Sequence, residues 1–378
     1  MQYLRSTIIV YHGDGVYFLE GHEIKDKFRS ELIYEDESIC RYNIIDDVYI
    51  DSISYDSNNQ INFELDKIEN ITINKHDKNC YHIYFNEHIF DTTNLVFFNN
   101  IKKNIYADSD LLNIEKCFIL QNINNPLNYQ VFDSYDGFEL TKDFGFLVGY
   151  WLLRGGFQRI DKVDCEQVSW SGREFDIEVI KKIITDQPYL VKPFKDNKSD
   201  ILVLINSDFY EFFKTHFKNE RNKTFPNWLF LANNDFILGF FYGIIAANSY
   251  ISYDKKKNFY LAVKIMNSNL ITNINRLFEF RFKLFSRVIG AENNYLSFKI
   301  TNKIYDLIKS GTDEKYFSLE HYENIKYVES KEIFYQNFKI LPWYKFKVTK
   351  EEESTNTYTL GLVKNDMYML DCGFFVSV

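Results

Sequence analysis

His76, His82 and His88 recur every six residues, and imidazoles at a regular spacing can hold a transition metal. Nothing beside them falls at the co-ligand spacing of a metal site, so neither a metal nor another cofactor is expected. Lys255, Lys256 and Lys257 follow Asp254 and could reach phosphate oxygens from a hairpin tip; a solvated turn explains them equally well. Arg154 and Asn248 each close a long apolar stretch. Arg154 could meet a phosphate, although a surface or helix-capping role is the plainer reading. Asn248 could touch nucleic acid, or end a helix, because asparagine tolerates left-handed backbone. Cys40, Cys80, Cys117, Cys165 and Cys372 are odd in number and scattered, which fits reduced thiols of an intracellular protein better than a disulfide framework.

The elements that would position these residues are two apolar stretches, Phe144 to Phe157 and Asn234 to Ile251. Gly239 and Gly243 lie four apart in one, Gly145 and Gly149 in the other, so each pair shares a helix face that a second backbone can approach closely. Around them the spacing predicts amphipathic helices at 175–185 and 208–217 with a strand at 201–205 between them. A hairpin is expected about 254–257, then a long helix over 268–290. Residues 1–140 read as short strands, at 7–11, 16–19, 47–53, 60–65, 80–85 and 95–98, separated by polar turns. The phenylalanines at 278, 280, 282 and 285 are expected in the core. No apolar run approaches the roughly 20 residues of a membrane span, so no membrane partner is expected. Net charge is −9, distributed as −13 over residues 1–140, +4 over 141–330 and 0 over 331–378. That balance disfavours a simple nucleic-acid binder and leaves positive charge only in the middle segment.

The paired glycine-bearing stretches, with Lys223-Thr224-Phe225-Pro226-Asn227-Trp228 leading into the second, resemble the core helices of LAGLIDADG homing endonucleases. The resemblance implies a pseudo-dimeric α/β domain over 141–330. It also implies that each core helix ends in an acid holding divalent metal. Those positions are Arg154 and Asn248 here, and neither supplies an anionic oxygen to a hard cation. An active enzyme would need displaced acids, with Asp143, Asp161 and Asp235 as candidates.

The flanks resemble the Hint domain of inteins. Ser6-Thr7-Ile8-Ile9-Val10, Asp14-Gly15 and Glu23-Ile24 look like its opening block, and Thr92 to Phe98 looks like its Thr-x-x-His block. Tyr358 to Val363 and Met367 to Val378 look like its closing strands. The resemblance implies that residues 1–140 and 331–378 form one β-rich unit split around the insert. Its splicing positions are Gln2, Leu95, Ser377 and Val378, which offer no nucleophile, imidazole or cyclising carboxamide. The expected fold class is therefore α+β. The expected function is an inactive, domesticated scaffold serving as a structural or protein-interaction component of a larger assembly. Non-cleaving DNA or RNA binding and residual endonuclease activity are the alternatives.

Overall fold

The computed structural model describes residues 7–55, 61–77, 81–85, 88–92, 95–99, 102–106, 116–122, 130–160, 165–185, 188–193, 200–219, 222–255, 258–282, 284, 286–289, 294–318, 325, 327, 333–335, 338–350, 355–365, 367–369 and 375–377. The chain is α+β and divides into two units. One is split, Met1–Tyr129 with Lys331–Val378; the other is continuous, Gln130–Ser330.

In the split unit, the strands expected at 7–11 and 16–19 are Thr7–His12 and Gly15–Glu20, which form a hairpin in register from Thr7↔Glu20 to His12↔Gly15. Ile8, Val10 and Val16 are fully buried there. The run expected at 60–65 belongs to a longer strand, Ile61–Asp77. Its first part pairs with Tyr49–Tyr55, and its second part with Ile39–Ile44 and Thr355–Leu362. Strands from the two ends of the chain thus interleave in one sheet. Phe338–Lys350 pairs with Lys116–Asn122 and with Tyr81–Phe85. Met367–Met369 meets Tyr49–Tyr55 through Tyr368↔Ser52, and Phe375–Ser377 meets Leu95–Asn99 through Phe375↔Val96. A buried carboxylate secures the closing segment. Asp66, 1% exposed, accepts the backbone N–H of Lys364 at 2.9 Å and of Asn365 at 2.8 Å. Asn365 in turn donates to Ser52 Oγ at 2.8 Å. Nearby, Tyr11 donates to Asp51 at 2.7 Å, and burial with that carboxylate raises the phenol well above its usual value.

The continuous unit repeats one pattern, and its elements are numbered within it. Its first half runs α1 (Lys142–Arg154), β1 (Gly155–Ile160), β2 (Cys165–Gly172), α2 (Glu174–Ile183), β3 (Tyr189–Pro193), β4 (Asp200–Leu204) and α3 (Ser207–Phe217). The second half runs α4 (Asn234–Asn248), β5 (Ser249–Tyr253), β6 (Phe259–Lys264), α5 (Ser268–Phe282), β7 (Ser286–Ile289), β8 (Tyr295–Lys299) and α6 (Asn302–Asp313). The sheets have the same order, β1-β2-β4-β3 and β5-β6-β8-β7, all antiparallel. The helix expected to reach residue 290 stops at Phe282, and Ser286–Ile289 becomes a strand. The β-branched pair Val288-Ile289 suits that strand, and the neighbouring edge of β8 supplies its hydrogen bonds. Aromatic residues fill the first half: Trp151, Trp170, Phe213 and Phe217 are buried and in ring contact. Phe278 and Phe280 are likewise buried, Phe282 is only half-buried, and Phe285 lies outside the described residues.

Candidate functional site

The two core helices start alike. Thr141 Oγ1 accepts the N–H of Phe144 at 3.1 Å, and Asn233 Oδ1 accepts that of Phe236 at 2.9 Å, so each helix has a side-chain N-cap. Their glycines lie against backbone of the opposite helix. A Cβ on Gly145 would stand 2.0 Å from Phe236 O, and one on Gly149 2.2 Å from Phe240 O. On α4, a Cβ on Gly239 would stand 1.8 Å from Lys142 O, and one on Gly243 2.3 Å from Phe146 O. Only glycine permits this approach.

The helices end together. Arg154 Nε donates to the Ala247 carbonyl at 3.0 Å, and its terminal nitrogen donates to Asn248 Oδ1 at 3.3 Å. Asn248 Nδ2 donates to the Lys264 carbonyl at 3.0 Å, tying the helix end to β6. Ser171 Oγ donates to the Arg154 carbonyl at 2.8 Å, which ties the end of α1 to β2. Arg154 is therefore a capping residue, but for the neighbouring helix. Asn248 does not adopt the left-handed cap expected of it. The chain passes straight into extended backbone at Ser249, φ −113° and ψ 161°, and needs no reversal.

The end of α1 has its own cation, to which the sequence attached no role. Lys223 Nζ donates to the carbonyls of Trp151 at 2.7 Å, Leu152 at 3.0 Å and Gly155 at 2.7 Å. It also sits 4.5 Å from the Trp151 ring centroid. Burial pushes this ammonium down to about 7. Both helix C-termini, where partial negative charge collects, thus meet a basic side chain that donates hydrogen bonds to their carbonyls. The guanidinium of Arg154 and the amide of Asn248 meet, Lys223 holds the end of α1, and none of the three offers an anionic ligand to a divalent cation.

The candidate displaced acids do not join this point. Asp143 and Asp235 lie in the first turns of α1 and α4, at the opposite end of the pair, and Asp143 accepts a hydrogen bond from Tyr316. Asp161 lies outside the described residues, as do Lys256 and Lys257, while Lys255 is exposed beside the turn between β5 and β6. Of the splicing positions, Gln2 and Val378 lie outside the described residues. Leu95 opens one strand and Ser377 ends another, and the register Phe375↔Val96 brings those two strand ends side by side. The side chains of His76, His82 and His88 lie outside the description. Among the described residues no helix is long and apolar enough to cross a membrane.

No protein-family profile matches the chain, and no curated protein matches it. Solved structures resemble parts of it. Full-length DUF199/WhiA from Thermatoga maritima is 12% identical over 54% of this chain and 61% of its own, with a TM-score of 0.34. This chain therefore spans about three-fifths of the length of that protein. The homing endonuclease I-WcaI bound to its DNA recognition sequence is 14% identical over 50% of this chain and 88% of its own, at TM-score 0.35. The Pab PolII intein is 12% identical over 35% of this chain and 69% of its own, at TM-score 0.26.

Proposed function

We propose that the continuous unit is a LAGLIDADG-type scaffold that binds nucleic acid without cutting it. The observation that carries this reading is the closure of the helix pair by Arg154 on Ala247 and Asn248. Phosphodiester hydrolysis by hard metal ions needs carboxylate oxygen at the reacting phosphate, and this centre holds a cation there instead. A guanidinium at the same point repels metal yet suits a phosphate. The sequence places further positive charge in the second half: residues 249–299 carry nine Lys or Arg against three Asp or Glu. The acidic balance lies elsewhere in the chain, so the net charge of −9 hides a basic segment. The test is an anisotropy titration of labelled single- and double-stranded DNA across a salt series, with and without magnesium. The expected result is binding that weakens steeply with salt and DNA that stays intact. Nicking in magnesium would overturn the non-cleaving reading, and absence of binding would overturn the nucleic-acid reading.

A second reading, as a protein-interaction component of a larger assembly, draws on the split unit, itself proposed as a Hint-like remnant. Among the described residues Ser30–Glu35 is an edge strand, and it exposes Leu32, Ile33 and Tyr34 at 47%, 55% and 53%. An open strand edge with apolar side chains invites a further strand from another chain. Native co-purification distinguishes the readings. A stoichiometric protein partner that is released by Leu32→Glu would support the second.

A further inference from the structure

The registers equate the two halves of the continuous unit residue by residue. Gly155↔Trp170 follows α1 as Ser249↔Val263 follows α4, and the same rungs continue as Trp170↔Leu202 and Val263↔Leu296. One face of each sheet is turned to the helices. Trp170 Nε1 donates to the Leu147 carbonyl of α1, and Phe298 packs on Phe278 of α5. Strand alternation sends the intervening residues to the other face. There the halves differ in kind. Gly156 stands where the second half has Tyr250, Gln167 where it has Tyr260, and Ile201 where it has Tyr295. Ser171 is matched by Lys264 and Ile205 by Lys299.

The second face has the layout of a stacking surface. Tyr250 is 48% exposed, and Lys299 is exposed. The Tyr250 and Tyr295 rings meet edge to face, with centroids 6.1 Å apart at 84°. Lys264 Nζ lies 5.8 Å from the Tyr295 centroid. Tyr260 is anchored by its hydroxyl, which donates to Asp254 at 3.3 Å. Between the tyrosines the central rung is small and buried: Tyr250 pairs with Ala262, 1% exposed, and Ala262 with Ser297, 8% exposed. Flat rings beside small residues, with ammonium groups among them, complement unpaired bases on a phosphate chain. A duplex keeps its base faces covered by their neighbours.

We propose that the second-half sheet takes single-stranded nucleic acid, with bases stacked on Tyr250 and Tyr295 and phosphates paired with Lys264 and Lys299. This rests on the nucleic-acid reading above and narrows it to one half and one strand. The test uses the full chain and an oligodeoxythymidine of about twelve nucleotides, within the range of single-strand site sizes, against a duplex of equal length. The single strand should bind more tightly. Tyr250→Ala should weaken it roughly tenfold, as loss of one stacking platform does, at an unchanged melting temperature. Lys264→Gln should reduce the slope of log affinity against log salt by about 0.7, the share of one single-strand phosphate, so a folding defect in the tyrosine variant would not end the test. Gln158→Ala, on the equivalent face of the first half, should change nothing. Preference for the duplex, or equal losses from Gln158→Ala, would overturn this proposal and leave the nucleic-acid reading standing. Binding of neither ligand would overturn both.

Discussion

Gly239→Ala isolates the close approach of the two core helices. The added Cβ would lie 1.8 Å from Lys142 O and 2.7 Å from its carbonyl carbon. Both are backbone atoms, so no rotamer change relieves the clash. Ordinary carbon contacts sit at about 3.5 Å or beyond, so the helices must part by more than about 1 Å here. Gly145, Gly149 and Gly243 each hold the opposite backbone at a similar distance, and separation at one crossing loosens the others. Overpacking of this kind costs about 1–3 kcal/mol, and a clash against backbone belongs near the upper end. Alanine returns about 1 kcal/mol as a better helix former. The net effect should be a loss of about 2 kcal/mol, or a fall of roughly 4–8 °C in Tm for a unit of this size. Trp151, Trp170 and Trp228 are buried in this unit and report its unfolding by fluorescence. Gly156→Ala is the control, since its Cβ would meet only Ser169 Oγ, at 3.9 Å. A Gly239→Ala midpoint at or above wild type would refute the reasoning, as would an equal fall in the control.

Asp66→Ala should destabilise the split unit by about 2 kcal/mol or more, because it leaves buried N–H groups of Lys364 and Asn365 without their carboxylate. Urea denaturation measures the loss, and faster amide exchange at those two residues would locate it. Lys223→Met should also destabilise, in a pH-dependent way. The folded ammonium titrates near 7 rather than its usual 10.5, so between those values the unfolded chain binds more proton. Stability contributed by Lys223 therefore rises with pH across that window, and the gap between wild type and Lys223→Met should widen from pH 7 to 10. A gap that stays constant would show that Lys223 remains charged. Arg154→Asp with Asn248→Asp should place two carboxylates where a guanidinium now meets an amide. That variant should melt lower in chelator and recover with magnesium or calcium, whereas wild type should not respond. A double variant indifferent to metal would mean that the new carboxylates do not converge.

The elements legible in the sequence were those whose pattern is local. Apolar runs with glycines four apart gave the core helices, and two short apolar runs about a polar turn gave the hairpin Thr7–His12 with Gly15–Glu20. Local pattern failed where a partner decided the outcome. Residues 286–289 continue the apolar character of α5, yet the open edge of β8 draws them into a strand. Asn248 has the chemistry of a left-handed cap, but Arg154, 94 residues earlier, supplies a different bond. Lys223 was visible as part of a lead-in motif, while its three carbonyl acceptors come from residues about 70 positions away. The tyrosine and lysine face needed strand register. Phenylalanine and tyrosine are so frequent along the chain that the positions at 250, 260 and 295 do not stand out until two sheets can be compared rung by rung.

The interleaving of both chain ends in one sheet fixes an order of events during synthesis. The continuous unit holds all its own strands, so it can close as soon as residue 330 has left the ribosome. The first 129 residues cannot. The long strand Ile61–Asp77 receives Thr355–Leu362, and Lys116–Asn122 receives Phe338–Lys350, only after the continuous unit has been made. Until then those edges stand open, and a chain interrupted after residue 330 would present a finished domain joined to a sheet with missing strands. Such open edges seek other chains. The part before residue 130 should therefore need protection by chaperones until residues 338–362 have been made.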